Sequence, residues 1–304
     1  MTTNTPPASH SILCLNQGLL EARVAPHAGG SLAGLSANGR PVLRVTPDET
    51  STDPLTMACY PLLPFVGRIG FGKFRFEGRE VTLPPHPISA PHALHGLGWQ
   101  RMWQVEQVDE QSAVLTLEHD GASDWPWRFS AKQKFALDER GLTITLAMTN
   151  RSDTAMPGGL GLHPFFPDRQ KARLTGDLPH IWEGSADGLP FRRSDVSAVH
   201  NFTRGRRIAP LTLDNCFSGG KDPLDIGWED RSLRVTLHGA DGRRAADHTV
   251  VYTPQMEDFF CVEPVSHVPN AVNHADDSAI NGFRRLASGE SMELACRFEV
   301  SGLG

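Results

Sequence analysis

The chain has 304 residues, 39% of them hydrophobic, with 35 acidic against 29 basic side chains and a formal net charge of −6. That length can bury a large core, and no run approaches the roughly eighteen apolar residues of a membrane-spanning helix. Lys/Arg density never exceeds the Arg204, Arg206, Arg207 group, which argues against nucleic acid or an anionic membrane surface as partner.

The first ten residues, MTTNTPPASH, are polar and Pro-rich. They lack the basic start and apolar core of a secretory signal and predict a loose tail, leaving residues 11–304 as a single domain. Period-2 apolar runs then recur along the chain. Residues 19–24 and 31–35 are followed by Asn38-Gly39, a strong hairpin signal between apolar runs, and by residues 41–45. Phe74 and Phe76 alternate with Lys73 and Arg75 up to a turn at Glu77-Gly78, after which Val81 and Leu83 continue the alternation. Phe129, Ala131, Gln133, Phe135 and Leu137 lead through residues 138–141 into Leu142, Ile144, Leu146 and Met148, the cleanest hairpin in the sequence. Later strands are expected at 233–237, 249–252, 259–265 and 292–300.

No segment of ten or more residues has helical periodicity. Many short strands with turn residues between them predict an all-β fold, a large antiparallel sandwich or barrel. The Pro/Gly-rich stretches at 84–91 and 184–190 are expected as loops. Five cysteines (Cys14, Cys59, Cys216, Cys261, Cys296) form no close pair. They suit reduced core thiols of a cytoplasmic protein better than a disulfide framework or a zinc site.

Five stretches carry candidate chemistry. In DFFCVEPVSHVPNAVN, Glu263 interrupts an apolar strand, where a carboxylate must be paired, protonated or used. Burial raises its pKa toward the range of a general base at neutral pH. The alternative is a Glu on the solvent face of an edge strand marked by Pro264. In PFVGRIG, Arg68 either offers its fork of donors to sugar hydroxyls or caps a strand. In HALHGLGW, His92 and His95 at i and i+3 suggest a metal, but no third ligand lies nearby, and a substrate-binding or inert loop His fits better. In GLGLHPFFP, the glycines match no phosphate-loop pattern, whereas His163 is either a satisfied core residue or an acid/base of near-neutral pKa. In LDNCF, Asp214 is an Asx-turn residue or a hydroxyl acceptor.

Taken together and in this order, GRIGFGKFRFEGRE, HALHGLGW, GLGLHPFFP, LDNCF and FFCVEPVSHVPNAVN resemble the aldose 1-epimerase (galactose mutarotase) family over nearly the whole chain, closer to a bacterial branch than to the galactose enzymes. The resemblance implies a galactose mutarotase-like β-sandwich that interconverts the anomers of a free hexose without cofactor or metal. It implies that Glu263 takes the proton from the anomeric hydroxyl and that His163 protonates the ring oxygen. His95 would be a second histidine near the anomeric oxygen, and Arg68 and Asp214 would bind hydroxyls. Glu263 and His163 are then expected to face one cleft, a few ångströms apart across a sugar-sized gap. Two positions depart from the pattern. Gly67 stands where Asn commonly precedes the Arg, and His163 is followed by Pro-Phe-Phe-Pro rather than by an aromatic-Asn ending. A glycoside hydrolase using Glu263 and Asp214 as paired carboxylates and a non-catalytic sugar sensor are the competing readings.

Overall fold

A computed structural model describes residues 11–239 and 246–302; the tail expected over residues 1–10 lies outside the described residues. Two antiparallel sheets, of eleven and nine strands, pack into a sandwich. The larger runs, neighbour by neighbour, from Leu13–Gln17 through Leu20–Ala25, Ser31–Ala37, Cys59–Leu62, Gly161–Pro167, Phe259–Val265, His248–Tyr252, Asp214–Ser218 and His180–Gly184 to Pro190–Asp195. The smaller is built around Trp125–Asp138, Gly141–Asn150 and Ser291–Ser301.

Local chemistry explains the hairpins. Asn38 and Gly39 have φ of 50° and 72°, and Glu77 and Gly78 of 46° and 81°, the doubly positive pattern that matches the twist of a two-residue hairpin. Between Trp125–Asp138 and Gly141–Asn150, the Asp138 carboxylate accepts hydrogen bonds from the amides of Arg140 and Gly141 at 2.8 and 3.1 Å. The register then places Phe135 opposite Ile144, and both are buried in the main core.

The same alternation decides which side chains face the site. In Phe259–Val265, Phe260 and Val262 enter the core between the sheets, whereas Cys261 and Val265 join a second apolar cluster with Tyr60, Trp99 and Phe165. In Gly161–Pro167, Leu162 and Phe166 face the main core and Phe165 the second cluster. Successive strand residues point to opposite faces, so the second cluster lies on the outer side of the eleven-stranded sheet.

Several expectations are corrected. Phe259–Val265 is an interior strand, paired on both sides, and not the edge that Pro264 suggests. GLGLHPFFP and LDNCF supply strands, so Asp214 is no turn residue. The strands Ala172–Asp177, His180–Gly184, Pro190–Asp195 and Lys221–Trp228 carry too many polar residues to show a clean apolar period. Among the described residues the one α-helix is Ser278–Asn281, and no helix is long and apolar enough to cross a membrane.

Candidate active site

The centre of the site is set by strand register. Phe259–Val265 pairs with Gly161–Pro167 at Gly161↔Val265, and again from Phe165↔Cys261 to Pro167↔Phe259. The register is unchanged across the interruption, so His163 stands opposite Glu263 inside it. Pro164 and Pro264 both fall there, and neither has an amide hydrogen to give to the ladder. Opposed residues of antiparallel strands present their side chains on one face. His163 Nε2 and Glu263 Oε1 accordingly lie 3.3 Å apart. The sugar-sized gap expected between them is absent, because cross-strand neighbours are in contact; any substrate must lie over the pair rather than between its members.

Both groups are buried, His163 to 7% exposure and Glu263 to 2%. Burial raises the Glu263 carboxyl well above its usual range; Asp214 pushes the same way and Arg68 opposes. Burial lowers the His163 imidazole to about 3. Mutual attraction of an ionised pair would act in the opposite sense, but desolvating two charges costs more than one contact returns. Burial thus favours the neutral form of each partner, a carboxyl beside an unprotonated imidazole, with one titratable proton between them.

Two aromatic rings pack against His163 and against each other, their centroids 5.8 Å apart. Tyr60, its cross-strand neighbour on the other side, stacks at 4.6 Å between centroids and Phe165 at 4.7 Å. Trp99 stacks on Tyr60 at 5.0 Å. The Arg44 guanidinium lies 3.9 Å above the Phe165 ring, tied to the carbonyls of Met57 and Leu55 at 3.1 and 2.6 Å. The Pro-Phe-Phe-Pro departure thus supplies one of the two rings stacked against the imidazole. Tyr60 and Arg44 escape a reading by motif; Tyr60 becomes a neighbour only through the pairing of Cys59–Leu62 with Gly161–Pro167.

His95 approaches from a loop. It has φ of 57°, its amide donates to Gly67 O at 2.8 Å, and its Nδ1 accepts from the Gly67 amide at 3.1 Å. The ring proton is therefore on Nε2. Burial, reinforced by His163, holds His95 well below the usual imidazole range, which makes it a neutral hydrogen-bond donor. Its ring meets that of His163 edge-on at 5.4 Å. His92 goes elsewhere: its Nδ1 accepts from the Phe71 amide at 2.9 Å and its Nε2 lies 3.7 Å from Asp187. The two histidines of the motif do not converge on a common ligand point.

The residues after Glu263 hold the segment on both sides of Arg68. His267 Nε2 accepts from the Val66 amide at 3.3 Å and its Nδ1 donates to Val268 O at 2.8 Å. The Asn270 amide donates to Arg68 O at 2.7 Å, and its side-chain oxygen accepts from the Gly70 amide at 3.0 Å. Gly67 lies within this grip at φ of 63°. A Cβ there would come within 2.5 Å of the Pro269 ring, so Asn does not fit this position without moving Pro269. The sequence reading missed His267 as a support, although it lies within a quoted motif.

Arg68 and Asp214 pair at 2.9 Å, and both are felt by Glu263. Beside them opens a depression of about 420 Å³, whose lining includes His92, Asp187, Asp214 and Asn215. The structure therefore brings Glu263, His163 and His95 together on the outer face of the sheet, with the Arg68–Asp214 pair at its margin.

Comparison with known proteins agrees with the fold. A family model described as Aldose 1-epimerase matches residues 11–299. The uncharacterised Escherichia coli K12 protein YphB is 27% identical over 297 residues, covering 95% of this chain and 99% of its own. A provisionally named aldose 1-epimerase from Escherichia coli K12 superposes with a TM-score of 0.86 at 26% identity, covering 96% of this chain and 99% of that one. A galactose mutarotase-like protein from Clostridium acetobutylicum gives 0.84 at 19% identity, with 95% and 94% covered.

Proposed function

The chain belongs to the aldose 1-epimerase family of isomerases, and from that premise we propose that it interconverts the α and β anomers of a free aldohexose through the Glu263–His163 pair. The observation that carries this reading is the 3.3 Å contact between a buried carboxyl and a buried imidazole on adjacent strands. Ring opening needs one proton removed from O1 and one delivered to the ring oxygen. The pair supplies both in its ionised tautomer, with the shared proton on His163. Glu263 takes the O1 proton, His163 gives its proton to the ring oxygen, and the bond from C1 to that oxygen breaks to leave the aldehyde.

The pair still holds one proton after this step, so no exchange with solvent is needed. Rotation about C1–C2 presents the other carbonyl face, and the reverse transfers close the ring. Each well-placed acid or base contributes on the order of a hundred- to ten-thousand-fold. His95 Nε2–H donates to the anomeric oxygen, where negative charge develops, and Arg68 and Asp214 bind hydroxyls. Two carboxylates, Asp187 and Asp214, line the depression against one guanidinium, which favours a neutral sugar over a phosphorylated one.

Polarimetry on fresh α-D-glucose and α-D-galactose tests the proposal: the protein should speed the approach to equilibrium rotation. Full activity in Glu263→Gln would show that the base lies elsewhere.

A further inference from the structure

Cys261 lies two residues before Glu263 and so on the same face of the strand. Its sulfur, an imidazole nitrogen of His163 and a carboxylate oxygen of Glu263 all lie within 4.8 Å of one another, and all three residues are buried. Ring opening as proposed above makes no use of the thiol. We propose that Cys261, His163 and Glu263 form a binding site for a thiophilic divalent cation of the zinc type, which switches the enzyme off by occupying its acid/base pair.

The donor set carries the argument. One sulfur, one imidazole nitrogen and one carboxylate oxygen are the ligands that zinc accepts, and three protein ligands leave a fourth position open. The His163–Glu263 separation of 3.3 Å already suits two ligands of one tetrahedral ion, and the Cys261 sulfur lies within 4.8 Å of both. All three groups project from interior strands of one sheet.

The charges also balance. A divalent cation displaces the thiol proton and the carboxyl proton to solvent, leaving a neutral metal–thiolate–carboxylate–imidazole unit. Arg44, whose charge acts on the Cys261 thiol, and Arg68, paired with Asp214, therefore face no added positive charge. Binding tightens as pH rises, because protons are released.

Cadmium and zinc are the probes, used on the full chain. The expected result is one equivalent of cadmium by equilibrium dialysis and an ultraviolet thiolate-to-cadmium band. That band disappears in Cys261→Ser and persists in Cys14→Ser, which removes the exposed thiol. Zinc should inhibit anomer exchange competitively with sugar, and Cys261→Ser should require at least about tenfold more zinc for the same inhibition. Glu263→Gln, which keeps the thiol, should also bind cadmium at least about tenfold more weakly.

A band that survives Cys261→Ser, or cadmium binding unchanged in Glu263→Gln, overturns the cation site. The inhibition arm rests on the proposed reaction, but the band does not. A protein that turns over no sugar yet shows the Cys261-dependent band would sink the ring-opening reading and keep the cation site.

Discussion

Glu263 and His163 are each forced by burial toward their neutral forms, and this has consequences for both activity and stability. Glu263→Gln keeps the shape and removes the proposed base, so anomer exchange should fall by about 10²–10⁴-fold with the fold retained by circular dichroism. The folded carboxyl is raised above its ordinary 4.5, so its favourable contribution is complete below that value and is lost as pH rises toward the folded pKa. Replacing Glu263 by Gln should therefore raise the thermal midpoint more at about pH 8 than at about pH 4. His163 has the opposite sign. Its folded pKa is lowered from 6.5 to about 3, so its contribution is complete above 6.5 and is lost as pH falls toward 3. The wild-type unfolding free energy should drop over that interval, at a slope of at most about 1.4 kcal/mol per pH unit from this group, and the drop should shrink in His163→Gln.

At the scale of elements, the site depends on segments that hold one another through backbone hydrogen bonds. Gly96 follows His95 at φ of 71°, with a Cβ position 2.1 Å from Leu63 O. Gly96→Ala should lower stability by about 1–3 kcal/mol, and because it displaces His95, exchange should slow even at temperatures where the protein remains folded. His267→Ala leaves the Val66 amide without its acceptor, at a cost of about 1–3 kcal/mol. Its effect on kcat should exceed that of an equally destabilising core substitution, because Val66 precedes Gly67, whose amide fixes the His95 tautomer. Equal effects from the two kinds of variant would show that His267 only stabilises.

For the whole molecule, sequence-distant strands are interleaved. Gly141–Asn150 pairs with Ser291–Ser301, and Cys59–Leu62 reaches Phe259–Val265 through Gly161–Pro167. Neither half of the chain completes a sheet alone. Calorimetry should therefore show one cooperative unfolding transition, as expected for a single domain over residues 11–304; two resolved transitions would contradict it. Phe298 is fully buried between the sheets, and Phe298→Ala should cost about 3–5 kcal/mol.

Much of this was legible in the residues. Alternation and turn chemistry are local properties, so the hairpins at Asn38-Gly39, Glu77-Gly78 and residues 138–141 follow from sequence, as does the absence of long helices among the described residues. The need for Glu263 to have a partner was local too, since an apolar strand cannot carry an unexplained carboxylate. Which partner it has was not. That depends on the pairing of Phe259–Val265 with Gly161–Pro167, two segments about a hundred residues apart, and register between distant strands is decided only when both bury their apolar faces together. The same long-range pairing made Phe259–Val265 an interior strand, closed the expected gap to a direct contact and placed Tyr60 and Cys261 at the site. Sequence alone determined that Glu263 required a reason; tertiary structure placed His163 opposite it, because side chains meet across strands only where the whole sheet sets the register.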